Sequence, residues 1–120
     1  MIKVALEITS LIDRSLQFAM PQVLVDTGSE YTWVPREELE KLRIEREKKD
    51  LAFVMANGQR VTRSVGFAIV RVEESFTVDE VVFAEDGDLL LLGARSLGGL
   101  NLMVDFAGKK LVAADPLPAA

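Results

Sequence analysis

The 120-residue chain carries 14 Lys and Arg against 19 Asp and Glu, for a net charge of −5 and a pI near 4.8, and 49% of its residues are hydrophobic. That size and apolar content suit one small folded domain, residues 1–120, and the acidic balance leaves no basic surface to neutralise nucleic-acid phosphates. With no cysteine and no histidine, disulfide frameworks, thiolate or imidazole zinc sites, cysteine nucleophiles and Ser-His-Asp triads are excluded, and proton transfer near neutral pH falls to carboxylates, lysines or tyrosine.

The pattern along the chain is mostly short strands. Ile2, Val4, Leu6 and Ile8 alternate with other residues at period two, as do Leu16, Phe18 and Met20. The turn-like stretch Ser10 to Ser15 between them predicts a hairpin. No long apolar run precedes a small-residue cleavage site, which predicts a soluble, cytoplasmic protein without membrane contact. The run 22–25, QVLV, reads as a separate short strand buried on both faces, ending in a loop at Asp26-Thr27-Gly28.

Residues 35–43, PREELEKLR, are the best helix candidate. Pro35 suits the first turn, Glu37 and Glu38 suit the positive end of the dipole, and Glu37 with Lys41 makes an i,i+4 pair. The following IEREKKD, 44–50, reads as a solvated charged stretch. A hairpin is predicted over 51–65, with Asn57-Gly58 in a type I′ turn. Two more strands, GFAIVRV and FTVDEVVFA, follow, and then a charged turn, Glu85 to Asp88. The spacing of Glu85, Asp86 and Asp88 is not that of a calcium loop. LLLL, 89–92, reads as a buried strand ending at Gly93, and ARSL as one helical turn broken by Gly98-Gly99. A last hairpin turns around AGKK, and residues 116–120 form a tail with two prolines. Eight or nine strands with one or two short helices make the class mainly β.

Asp26 stands out because it follows an apolar strand and precedes a hydroxyl residue and a glycine. Without metal, His or Cys, an amide can still be hydrolysed by two carboxylates around one water. One takes a proton from the water, and the other, protonated, hydrogen-bonds the substrate carbonyl; in contact, the two share one proton and titrate as a pair. Such a site needs a carboxylate on a rigid loop, with Gly28 allowing close backbone approach, Thr27 supplying a hydroxyl to tie the loop down and Ser29 one to hydrogen-bond the carboxylate. As a plain turn former, Asp26 would need none of these neighbours.

These residues resemble the retropepsin-like aspartic proteases, the single-domain relatives of retroviral protease. VLVDTGSEYTWVP looks like the family's catalytic loop, LLLLGARSL like its apolar-Gly element before a short helix, AFVMANGQRVTRSVG like its flap hairpin, and LNLMVDFAGKKLV like its closing strands. The resemblance implies an acid-protease fold, a folded and closed β-sheet domain, and an aspartic endopeptidase without cofactor. This chain has one Asp-Thr-Gly only. Asp86 lacks the hydroxyl neighbour, and Asp105 is followed by Phe106-Ala107. Members of this size are homodimers, so the resemblance sets Asp26 opposite Asp26 of a second copy.

It also assigns Asp26, Thr27 and Gly28 to catalysis, with Thr27 bracing the two loops across the axis. Ser29, Glu30, Met55, Ala56, Asn57, Gly58 and Leu91 are assigned to binding an extended peptide under the flap. Tyr31, Trp33, Val54 and Val61 are further pocket candidates, although large aromatics such as Tyr31 and Trp33 more often pack into a core. Gly93-Ala94-Arg95-Ser96 departs from the Gly-Arg-Asn or Gly-Arg-Asp of many retroviral members, so either Arg95 meets Glu30 or the familiar arginine contact is absent. The tail prolines make poor central strands for knitting a dimer. The alternative function is a retropepsin-like dimerisation or peptide-binding module whose aspartates do not hydrolyse.

Overall fold

Strands β1 (Lys3–Thr9) and β2 (Gln17–Asp26) form the expected hairpin in the computed structural model of the chain, which describes residues 1–119. β2 is one strand, not two. Val4 pairs with Val23 but Leu6 with Met20, so β2 carries one extra residue at Pro21-Gln22. A bulge there accommodates a proline without an N–H to donate, and the strand continues to Asp26.

After β2 come β3 (Thr32–Pro35), α1 (Arg36–Lys41), β4 (Lys48–Val54), β5 (Arg60–Val72), β6 (Ser75–Ala84), β7 (Leu91–Gly93), α2 (Ala94–Leu100), β8 (Leu102–Asp105) and β9 (Lys110–Ala113). Seven strands make one sheet in the order β1-β2-β7-β3-β6-β5-β4. β1 also pairs with β5, which folds the sheet back on itself into a closed, barrel-like form. β2 runs parallel to β7, and β3 parallel to β6. β8 and β9 form a separate ribbon. No helix among the described residues is long and apolar enough to cross a membrane.

The sheet divides the core in two. Leu6, Ile8, Val34, Leu39, Phe83 and Leu92 belong to the larger cluster, which α1 and α2 close. Trp33, Val65, Val82, Ala84 and Leu91 form the smaller, with Tyr31, Leu51 and Phe53 leaning on it. β3 and β6 alternate between the clusters and so are apolar on both faces.

Several local expectations change in three dimensions. Lys41 pairs with Glu38 at 3.3 Å rather than with Glu37, and Arg36 with Glu40 at 3.7 Å; on a helix the i,i+3 and i,i+4 neighbours are both in reach. The stretch 44–50 is not simply solvated: Ile44 is buried, the Arg46 guanidinium lies 4.4 Å above the Phe83 ring, and Lys48 already begins β4. Long charged side chains cover apolar surface with their stems, and lysines suit an edge strand such as β4. β5 is continuous through Gly66. Of the four leucines, Leu89 and Leu90 are exposed and only Leu91 and Leu92 are buried. α2 runs through Gly98-Gly99 because the helix lies directly on β6, where a Cβ at 99 would meet Thr77 Oγ1 at 2.3 Å. Residues 114–119 carry no helix or strand, and Ala120, the end of the expected tail, lies outside the described residues.

The charged turn at 85–88 is pinned by an ion pair. Arg63 donates to both Asp88 oxygens, at 2.7 and 2.9 Å, and the Glu85 N–H donates to Asp88 Oδ2 at 2.8 Å. The Arg63 hydrogen bonds hold the Asp88 carboxyl below the usual range; burial opposes this, and the Glu85 N–H and the Arg63 charge add to it. A depressed folded pKa contributes stability that is complete above the unfolded value, about 3.9, and is lost as pH falls through the folded value. Asp88→Asn is therefore expected to cost about 2 kcal/mol at pH 7, with the gap to the native protein closing below about pH 4. Urea denaturation at a series of pH values measures both, and a gap independent of pH would refute it.

Candidate functional site

Asp26 ends β2 at the floor of a cleft of about 600 Å³. The parallel register sets it beside Gly93 of β7, and the chain then turns through Thr27-Gly28 into β3. Asp26 is half-buried as a residue, and its carboxylate Oδ1 accepts the Gly28 N–H at 2.9 Å. The Asp26 carbonyl accepts the Ser29 N–H at 3.2 Å, and the Ser29 hydroxyl donates to the Tyr31 carbonyl at 3.1 Å rather than to the Asp26 carboxylate, because the turn into β3 brings that carbonyl within reach. The loop is also held from outside. The first two N–H groups of α2, on Ala94 and Arg95, donate to the carbonyls of Ser29 and Glu30 at 2.7 and 3.1 Å. A helix start offers N–H groups with no partner inside the helix, and here the loop supplies the acceptors.

Contact this close requires Gly93. A Cβ there would stand 2.3 Å from the Tyr31 carbonyl oxygen and 2.6 Å from its carbon. The apolar-Gly element is thus the crossing point of β7 with the Asp26 loop.

The cleft walls come from four elements. The loop supplies Gly28, Ser29 and Glu30; β3 and its approach supply Trp33 and Tyr31; the β4 arm supplies Leu51, Phe53, Val54, Met55 and Ala56; and β7 and its approach supply Leu91 and Leu89. Phe53 packs edge-on against Tyr31 and Trp33, at centroid separations of 5.5 and 5.1 Å. Trp33 is both core and wall: it is buried, and it lines the cleft. Leu51, Phe53 and Leu89 were not among the sequence candidates. The period-two spacing of Leu51, Phe53 and Met55 is the signal that finds the first two.

Asn57, Gly58 and Val61 do not line the cleft. Asn57 and Gly58 form the hairpin tip, which is not a type I′ turn. Gly58 N–H donates to the Met55 carbonyl at 2.8 Å, Met55 N–H to the Gln59 carbonyl at 2.8 Å, and Gly58 alone of the pair has positive φ, at 84°. This is a three-residue loop with a bulge at the glycine. The Asn57 side chain stabilises it by accepting the Gln59 N–H at 2.8 Å.

Thr27 is exposed on the other side of the loop. It lines a second cleft, of about 290 Å³, with Met1, Ile2, Val25, Val104, Phe106 and Lys109. Phe106 is 74% exposed there.

The Arg95 guanidinium does not meet the Glu30 side chain. It lies 4.9 Å over the Tyr31 ring and pairs with Glu80 at 3.2 Å. Glu80 is a buried carboxylate on β6, which also takes Lys48 Nζ at 3.0 and 3.1 Å. Burial pushes the Glu80 carboxyl up, but the Lys48 hydrogen bond and charge, with those of Arg95, outweigh it and leave the group below the ordinary range. A buried carboxylate holds the arginine more firmly than an exposed Glu30 can. Among the described residues no three carboxylates gather as a metal site.

The protein-family model described as "gag-polyprotein putative aspartyl protease" matches residues 18–98, about two thirds of the 120-residue chain. The match spans β2, the Asp26 loop, the β4–β5 hairpin, β7 and most of α2. No curated protein matches the chain.

Proposed function

The chain belongs to the gag-polyprotein aspartyl protease family, and on that footing we propose that it is an aspartic endopeptidase of one domain, residues 1–120, acting in the cytoplasm as a homodimer. The observation that carries this reading is the single Asp26 carboxylate on the floor of an apolar cleft, on a loop clamped by its own Gly28 N–H and by α2. Two such carboxylates, one from each copy, supply the chemistry. The ionised Asp26 takes a proton from water as the water oxygen attacks the scissile carbonyl carbon. The protonated Asp26 of the second copy gives its proton to the carbonyl oxygen. When the C–N bond breaks, the nitrogen takes the proton that came from water, a hydroxyl of the tetrahedral gem-diol gives its proton to the other Asp26 as the carbonyl re-forms, and one proton again remains on the pair.

In this reading Gly28 offers its carbonyl to the substrate backbone. Ser29, Glu30, Met55, Ala56 and Leu91 contact an extended peptide, and the hairpin tip at Asn57-Gly58 closes over it. Thr27 lies at the two-fold axis. Bringing Asp26 to face itself then draws the rim around Thr27 into the interface, including Phe106 on the β8–β9 turn.

The specific rate of peptide cleavage is expected to rise with enzyme concentration, as for a reversible dimer. Phe106→Glu removes a buried aromatic from each copy and sets two like charges near the axis. At about 1.5–3 kcal/mol per side chain, the dimer Kd should rise about 100-fold or more. Sedimentation with parallel cleavage assays measures this. A dimer indifferent to Phe106→Glu would refute the interface, and a tight dimer that binds peptides without cutting them would favour the non-hydrolytic module.

A further inference from the structure

Two buried hydroxyls and a half-buried carboxylate lie away from the cleft. Thr32 of β3 and Ser96 of α2 are each 0% exposed, and their oxygens are 2.6 Å apart. Ser96 Oγ is 2.8 Å from Asp79 Oδ2 of β6, and the Gly93 N–H donates to Thr32 Oγ1 at 3.1 Å. The proton directions follow from the groups themselves. An ionised carboxylate only accepts, so the Ser96 hydroxyl donates to Asp79. With its one proton committed, Ser96 can only accept from Thr32, and Thr32 accepts from Gly93. The other Asp79 oxygen takes the Glu80 N–H at 2.7 Å. The chain runs one way, from Gly93 through Thr32 and Ser96 to Asp79, and every proton in it is used.

This line joins β7, β3, α2 and β6 at one point. Gly93 is the register partner of Asp26, and α2 begins at the next residue with the two N–H groups that grip the Ser29 and Glu30 carbonyls. None of the three side chains lines the cleft. Apolar residues of the same shape would fill the space at no great loss of stability, since replacing both partners of a buried hydrogen bond can be nearly neutral. What they could not do is fix one orientation of the start of α2 against β3, because apolar packing is not directional.

We infer that Thr32, Ser96 and Asp79 are positioning residues, a hydrogen-bond relay that sets the start of α2 and through it the Asp26 loop; calling that loop reactive rests on the protease reading. The test is Thr32→Val, which keeps the shape and removes the hydroxyl, beside Thr32→Ser, which keeps the hydroxyl. Both are read by amide hydrogen exchange on the full chain. In Thr32→Val, exchange at Gly93, Ala94 and Arg95 should quicken about tenfold, equivalent to about 1.4 kcal/mol. Exchange at Val70, in the centre of the sheet, should stay within about twofold, and Thr32→Ser should restore protection.

Cleavage by Thr32→Val should show kcat reduced about tenfold with KM within about twofold, the mark of a misplaced loop rather than a lost binding contact. Should Thr32→Val fail to fold, Ser96→Ala is read in the same way. Unchanged protection at Ala94 and Arg95, a loss equal to that at Val70, or a Thr32→Ser variant as impaired as Thr32→Val would each overturn the inference. Because exchange needs no substrate, a native protein that cleaves nothing would refute the protease reading and leave the relay still decided.

Discussion

Asp26→Asn is expected to reduce peptide cleavage by about 10³-fold or more while leaving the fold and peptide binding in place. An asparagine still presents Oδ1 to the Gly28 N–H, so the 2.9 Å bond that shapes the loop is kept. In the proposed mechanism, what is lost is the carboxylate that accepts a proton from water and shares one with its twin. The proposed dimer adds a second, sharper expectation. A mixed dimer holds one Asp and one Asn and cannot share a proton between two carboxylates. Adding about nine variant chains to each native chain should therefore lower the activity per native chain about tenfold, if copies pair at random. A protein whose active site were complete within one chain would ignore the added variant. Full activity in Asp26→Asn would remove Asp26 from the chemistry altogether.

The Asp26 loop was legible in the sequence because its residues are local. Asp26, Thr27 and Gly28 are consecutive, and Gly93 follows an apolar run, so each carries its own signature. The strands with one solvated face were legible for a related reason: in β1 and β4 the inward-facing apolar residues fall at every second place, as with the buried Leu6 and Ile8 or the half-buried Leu51 and Phe53. β3 was not, because Trp33 enters one core cluster and Val34 the other, and a strand buried on both faces has no alternation to read.

The run ending at Met20 and the run 22–25 read as two strands, and the Gly98-Gly99 pair read as a break; tertiary structure overrode both. A bulge absorbs the proline. Packing of α2 on Thr77 offsets the propensity cost of two helical glycines, about 1 kcal/mol each. The Asn57-Gly58 pair announced a tight hairpin correctly, but the number of residues in its loop is set by the pairing of β4 with β5, which the dipeptide does not encode. Thr32, Ser96 and Asp79 were invisible for the opposite reason to Asp26. They are 64 and 17 residues apart along the two links of their relay, and only the fold brings them together.

Gly93→Ala is expected to be the most damaging substitution of a single methyl in the chain, costing about 3 kcal/mol or more of stability and about 10²-fold or more in kcat/KM. The added Cβ would meet the Tyr31 carbonyl oxygen at 2.3 Å and its carbon at 2.6 Å, with the Glu30 carbonyl oxygen at 2.9 Å. All three are backbone atoms, so no rotamer change relieves the clash. β7 cannot retreat, because Leu92 is fully buried and Gly93 is tied to Asp26 in register and to Thr32 by its N–H. The loop must move instead, by about 1 Å to reach ordinary van der Waals contact. That movement pulls the Ser29 and Glu30 carbonyls from the N–H groups of Ala94 and Arg95, and in the proposed dimer it carries Asp26 away from its twin.

Gly98→Ala is the matched control. It lies in the same helix, and a Cβ there has nothing within 4 Å, so helix propensity alone predicts a gain of about 0.5–1 kcal/mol. Thermal denaturation and cleavage assays on the two variants separate a general intolerance of α2 to substitution from a steric requirement at one crossing point. If Gly93→Ala matched Gly98→Ala in both measurements, the close contact of β7 with the Tyr31 backbone would not be what holds the loop. Loss in Gly93→Ala alone would place the fixing of Asp26 at that contact, one residue before the helix whose N–H groups complete it.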